Sequence, residues 1–207
     1  MIEAVLFDFN GVLVDDEPQH CWALQRVLAD EGITLTREQY YAHYLGLDDR
    51  TGFVEAYRRK SKLCLELVST SLRMVAGAPE FVRDAGRQFR LAIVSGALRR
   101  EIDAVLSRTG LAGDFETIVA ANDVPRSKPD PAAYLAAHDA LNQRRPIALD
   151  RCVVIEDSLH GLEAARSAGM PCVMLTTSHP SQTLQGRGAA LVWESLDGHR
   201  ANEFAGL

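Results

Sequence analysis

Val5-Leu6-Phe7-Asp8-Phe9-Asn10-Gly11-Val12 places an acid at the end of an apolar run and a glycine just beyond it. A short apolar run bounded by a turn signal reads as a strand buried on both faces, with Asp8 at its end and the chain turning at Gly11. Further apolar runs at residues 91–94, 117–121, 152–155, 171–175 and 189–193 have the same character, and each is read as a strand buried on both faces. Helical patterns lie between them, at residues 100–108 before Gly110, at 132–141, and at 161–167 before Gly169, where glycine suits a left-handed cap. This alternation predicts an α/β fold: a Rossmann-like parallel sheet core with helices on both faces.

Residues 16–77 break the rhythm, with no buried strand and several consecutive helical patterns. Pro18 suits a first helical turn, Gly32 closes that helix, and Thr36 with Gln39 has the spacing of a capping box. Leu65, Val68, Leu72 and Val75 recur at helical spacing and are expected to form one apolar face. The expected division is therefore an α/β core of residues 1–15 and 78–207 and an inserted all-helical cap of residues 16–77. Because the insertion leaves after the first strand and returns before the second, it would cover the carboxyl end of the sheet, where such folds bind ligands. The tail after Gly198 reads as a terminal helix or a frayed end.

The chain has 207 residues, 47% hydrophobic and 24% charged, with a formal net charge of -6. That balance belongs to an ordinary globule, and the acidic surplus opposes binding to nucleic acid or to an anionic membrane surface. No apolar stretch approaches the roughly 18 residues of a membrane span. With the first strand beginning at once, a cytoplasmic protein is expected. Cys21, Cys64, Cys152 and Cys172 lack metal-site spacing and read as reduced core thiols. A monomer or weak homodimer is expected.

Taken singly, each strand end has an ordinary structural explanation. Asp8 suits a turn, Ser95-Gly96 a strand-to-helix turn, Ser127-Lys128-Pro129-Asp130-Pro131 a rigid loop before a helix, and Asp157 or Ser158 a helix cap. The set changes that reading, because four strand ends supply a carboxylate, a hydroxyl, a lysine and a carboxylate pair to one sheet edge. These are the parts of a phosphoryl-transfer site. Asp8 would attack phosphorus, and Mg²⁺ held by Asp8, Asp157 and an oxygen near Asn10 would offset the repulsion between carboxylate and phosphate. Ser95 and Lys128 would bind the other phosphoryl oxygens.

Asp8-Phe9-Asn10-Gly11-Val12, Ser95-Gly96, Lys128-Pro129 and Glu156-Asp157 resemble, in order and spacing, the four motifs of the haloacid dehalogenase superfamily. Residues 14–20 and 155–161 further resemble its β-phosphoglucomutase-like branch, whose members carry a helical cap after the first motif. The resemblance implies Asp8 as nucleophile, Asn10 as a metal ligand through its backbone carbonyl, Asp157 as a carboxylate ligand and Glu156 in support of the metal. It implies Ser95, Gly96 and Lys128 around the transferring phosphate of a small phosphorylated metabolite. In the cap, Arg50 of Gly46-Leu47-Asp48-Asp49-Arg50 would recognise substrate phosphate or carboxylate, and His20 would sit near the nucleophile as a hinge or supporting residue. Ala97 and Leu98 stand where the related mutases carry polar residues, so mutase activity is not expected.

Asn10 departs from the family pattern, in which a second Asp two residues after the nucleophile protonates the leaving group and then activates water. Asn does neither, and acid/base catalysis is worth roughly 10² to 10⁴-fold, about 3 to 5 kcal/mol. A phosphatase that is slow, or confined to phosphates with good leaving groups, is the leading expectation. Alternatives are a phospholigand-binding protein without turnover, or a hydrolase of another bond type, either phosphonate with Lys60 or Lys62 as the imine-forming cap lysine or carbon-halogen. Asn10 could also be a deliberate substitution, or could mature to Asp, since Asn-Gly bonds are prone to deamidation.

Overall fold

A computed structural model describes residues 1–40 and 54–207. Six parallel strands, β1 (Ala4–Phe7), β2 (Arg90–Val94), β3 (Thr117–Val119), β4 (Cys152–Glu156), β5 (Cys172–Leu175) and β6 (Leu191–Trp193), pair in the order β3-β2-β1-β4-β5-β6. The order reverses at β1, so the crevice beyond the carboxyl ends of β1 and its neighbours is the place for a ligand. Phe7 pairs with both Ile93 and Ile155, which puts Asp8, Val94 and Glu156 at one level.

Alternation along the strands divides the core in two. Val5, Phe7, Leu91, Ile93, Val153 and Ile155 face one layer, which contains α4 (Ala78–Gly86) and α5 (Arg99–Thr109). Ala4, Leu6, Ala92, Val94 and Val154 face the other, against α6 (Ala132–Asn142) and α7 (Leu159–Ser167). In the first layer Phe81 is packed edge-on by Phe7, Trp193 and Phe204, with centroids 5.9 to 6.2 Å apart. The final segment is accordingly not frayed: a 3₁₀ helix at Ala201–Gly206 buries Phe204 completely.

The four central strands are buried on both faces, whereas β3 and β6 are only half covered, and Val192 is exposed. The expectation of two-sided burial fails there because an edge strand has a neighbour on one side only. All four cysteines are buried free thiols. Among the described residues, no helix is long and apolar enough to cross a membrane.

Within the inserted stretch lie α1 (Glu17–Asp30), a single turn α2 (Arg37–Gln39) and α3 (Val54–Ser71). Pro18 lies in the first turn of α1, and the Thr36–Gln39 capping box forms both of its bonds. The apolar face expected from Leu65 to Val75 is not a single helical face. The helix stops at Ser71, and Val75 lies in the returning linker, where its N–H donates to Leu13. Asp15 donates to Arg73 in turn, so the two linkers run side by side above the end of β1. Ser61 on α3 donates to Glu101 on α5 and accepts from Arg100 at 2.8 Å, seating α3 on the helix that follows Ser95-Gly96.

Candidate active site

Asp8 follows β1 directly, and its N–H donates to Ile155 at 2.9 Å, continuing the ladder one residue beyond the strand. Lys128 reaches it from the loop after β3. The Lys128 Nζ donates to Asp8 Oδ1 at 2.7 Å, to Glu156 Oε1 at 2.6 Å and to the Val94 carbonyl at 3.0 Å. All three donor positions of the ammonium are thus used, and the Tyr134 ring lies 5.0 Å away. Carboxylate oxygens of Asp8, Glu156 and Asp157 lie within 4.8 Å of one another, and all three residues are buried.

Glu156 is saturated. Its Oε1 accepts from Lys128 and from the Tyr134 hydroxyl at 2.7 Å, and its Oε2 accepts from the backbone N–H groups of Asp157 and Ser158 and from the Ser158 hydroxyl. Gly161 makes room for this carboxylate, because a Cβ there would fall 1.8 Å from Glu156 Oε1. Gly161→Ala is therefore expected to cost about 1–3 kcal/mol through overpacking and to disturb Lys128 as well. The midpoint of urea unfolding should fall, and an unchanged midpoint would show that Glu156 moves freely. Gly11 has a similar part, with φ +73° and Asp157 Oδ2 only 1.9 Å from where its Cβ would stand.

Three carboxylates around one lysine leave surplus negative charge. Burial raises Asp8 to about 7 against the opposing charge of Lys128. Burial and then the charges of Glu156 and Asp8 push Asp157 well above the usual carboxylate range. Burial also penalises Glu156, but Lys128 outweighs it and keeps that acid low. A divalent cation would offset that charge, and the all-oxygen donor set suits a hard ion such as Mg²⁺.

Ser95 is buried beside the Val94 carbonyl that binds Lys128, and its Oγ accepts from the Ala97 N–H at 2.9 Å. Gly96 is exposed, and a Cβ there would meet nothing within 4 Å. His20 is buried at the start of α1 with its Nε2 3.0 Å from Asp16 Oδ2. The Asn10 amide Nδ2 lies 2.9 Å from both Asp16 oxygens and 3.3 Å from His20 Nε2. Burial opposes the charge on Asp16, but His20 and the Asn10 amide keep that carboxyl low. Lys60 is half-buried, with its charge felt at Asp16, Glu17 and His20, whereas Lys62 is exposed. Arg50 and its Gly46–Arg50 turn lie outside the described residues.

Deamidation is opposed here. It requires the Gly11 nitrogen to attack the Asn10 side chain, yet that N–H is donated to Val14 at 2.7 Å and the amide is held by Asp16. Peptide mass spectrometry after ageing is expected to show Asp at position 10 accumulating more slowly in folded than in urea-unfolded protein. Equal rates would contradict the restraint.

Sequence reasoning missed Asp16, Tyr134, Thr177 and Ser178. Ser178 donates to Asp157 Oδ2, and Thr177 to the Gly11 carbonyl at 2.6 Å. Thr176-Thr177-Ser178 follows β5 at the same sheet edge, which was a readable signal. Tyr134 lies in the first turn of α6 and gave none.

The parallel sheet, with carboxylates and a lysine converging at its carboxyl edge, defines a Rossmann-like α/β protein with an acidic, metal-suited centre. Residues 5–175 match the family described as haloacid dehalogenase-like hydrolase, and the chain belongs to that family. It is 32% identical over 186 residues to a phosphorylated carbohydrates phosphatase of Thermotoga maritima, covering 82% of each chain. An Asp-to-Asn mutant of CbbY from Rhodobacter sphaeroides, in complex with xylulose-(1,5)bisphosphate, superposes with a TM-score of 0.83 at 25% identity, covering 95% of both chains. A β-phosphoglucomutase from Clostridium difficile has a TM-score of 0.84 at 23% identity, covering 100% of this chain and 96% of that one, and shares the fold.

Proposed function

We propose that this protein is a Mg²⁺-dependent phosphatase of small phosphorylated sugars, working through a phospho-Asp8 intermediate and slowed by Asn10. The observation that carries the reading is Asp8 at the end of the central strand, bonded to Lys128 and grouped with Glu156 and Asp157. The carbohydrate phosphatase among its relatives supports the substrate class. Asp8, Asp157 and the Asn10 carbonyl would hold Mg²⁺, with Glu156 fixing Lys128 and the loop that bears Asp157. Bound there, the ion offsets negative charge as carboxylate and phosphate approach.

Asp8 attacks phosphorus as the bond to the leaving oxygen breaks, and that oxygen takes its proton from solvent. Water then attacks the phosphorus of phospho-Asp8, its proton passing to solvent, and the Asp8 carboxylate is regenerated with release of phosphate. Ser95 and the backbone at Gly96 would hold phosphoryl oxygens, and Lys128 would exchange one of its three protein bonds for another as the substrate enters. Residues 16–77 act as the cap that selects substrate, with Arg50 as its proposed anionic-group contact. The second step is the slow one, since Asn10 cannot deprotonate water. The test is Mg²⁺-dependent phosphate release from sugar phosphates, p-nitrophenyl phosphate and acetyl phosphate. A burst of the p-nitrophenol product before steady turnover is expected, and silence on every substrate would sink the reading.

Metal binding should also depend on pH in a definite sense. Asp8 is raised from 3.8 to about 7, and Asp157 is also raised. Without metal, Asp8 therefore contributes stability that is complete below its unfolded pKa and is lost as pH rises through about 7, and Asp157 acts in the same direction. Mg²⁺ competes with those protons, so the increase in thermal midpoint on adding Mg²⁺ is expected to be larger at pH 8 than at pH 5.5. An increase independent of pH would place the ion elsewhere.

A further inference from the structure

We propose that Asp16 is a positioning residue that sets the Asn10 carboxamide with its Oδ1 toward the reacting phosphoryl group, as an acceptor that orients the attacking water. The proposal rests on the phosphatase reading above and adds a role for the residue that replaces the family's acid/base Asp.

A carboxylate can only accept hydrogen bonds, so the amide edge that meets both Asp16 oxygens at 2.9 Å must be the NH₂ edge. That leaves Oδ1 on the opposite edge, away from Asp16. Asn10 is half-buried, and among the described residues no donor meets Oδ1, which leaves that oxygen to accept from water. His20 holds Asp16 from the helix side at 3.0 Å, so the clamp spans the end of the first motif and the first turn of α1. An amide oxygen cannot take the proton from water, but it can align a water molecule, and alignment alone contributes to phosphoryl transfer. An unclamped Asn10 could flip and present NH₂, a donor with no lone pair for water.

The same contact makes Asn10→Asp more than a restoration. Its carboxylate would meet Asp16 at hydrogen-bond distance, a like-charge pair. The exchange Asn10→Asp with Asp16→Asn preserves the number of charges and the bond between them.

The experiment measures kcat and KM on acetyl phosphate and p-nitrophenyl phosphate for the parent, Asp8→Asn, Asp16→Ala and Asp16→Asn, Asn10→Ala, and the double variant Asn10→Ala with Asp16→Ala. Asp16→Ala is expected to lower kcat about 10- to 100-fold with KM nearly unchanged, and to have no further effect once Asn10 is Ala. Asp16→Asn preserves the fold if Asp16→Ala does not, and should also lower kcat, because an amide can pair with either edge of Asn10. Asp8-dependent turnover that Asp16→Ala leaves intact, or lowers equally in both backgrounds, overturns this proposal alone. Turnover in the parent that survives Asp8→Asn, or no turnover at all, overturns the phosphatase reading and this proposal with it.

Discussion

Asp8→Asn is expected to reduce Mg²⁺-dependent phosphate release by at least about 10³-fold while leaving the protein folded and, without metal, more stable. The loss follows from the chemistry, because an amide oxygen is a poor nucleophile toward phosphorus and no neighbouring group can form the same intermediate. The gain in stability follows from the site. Asp8 is buried next to two other carboxylates, and burial has already raised it to about 7. Replacing it with a neutral side chain of the same shape removes a desolvated charge and relieves Asp157, whose own rise Asp8 promotes. Rate and thermal midpoint should therefore move in opposite directions. If they fell together, misfolding would explain the lost rate and the nucleophile assignment would lose its support.

Lys128→Met is expected to be damaging in both respects. The ammonium is bonded to Asp8, Glu156 and the Val94 carbonyl, so removing it leaves two buried acids uncompensated. Breaking a buried pair from one side costs about 3–5 kcal/mol, and loss of a phosphoryl-oxygen donor costs about 10²- to 10³-fold in kcat. Lys128 holds Glu156 low and opposes the rise of Asp8, so both acids should move upward without it. At low pH they would accept protons and soften the penalty. Urea unfolding should therefore show a larger destabilisation at pH 8 than at pH 5. A variant as stable as the parent at pH 8 would mean that the lysine carries no structural role.

How much of this was legible beforehand depended on the range of the interactions involved. Strand positions were readable because burial on both faces produces short apolar runs, although β3 and β6 are less covered than those runs implied. Asp8, Lys128, Glu156 and Asp157 were readable as a group because a parallel sheet brings strand ends to one edge whatever lies between them. Asp16 was not, since nothing in Asp15-Asp16-Glu17 distinguishes the acid that turns toward Asn10 from the half-buried acids on either side. Tyr134 was hidden for a similar reason: a tyrosine in an apolar helix face reads as packing until its hydroxyl is seen on Glu156.

Four features stand in the amino-acid order alone: the parallel α/β core, the run of helices after the first strand, the acids and lysine that meet at the sheet edge, and the lack of a second acid where Asn10 stands. These follow from local periodicity and from residue identity, which require no knowledge of distant contacts. Three others appear only once the chain is folded: Glu156 is saturated by five hydrogen-bond donors, Gly161 is the space its carboxylate fills, and Asn10 presents its NH₂ edge to Asp16. Those facts depend on the direction of side chains that meet across strand ends and loops. Hydrogen-bond geometry at that scale is set by packing, and the spacing of residues along a chain carries no record of it.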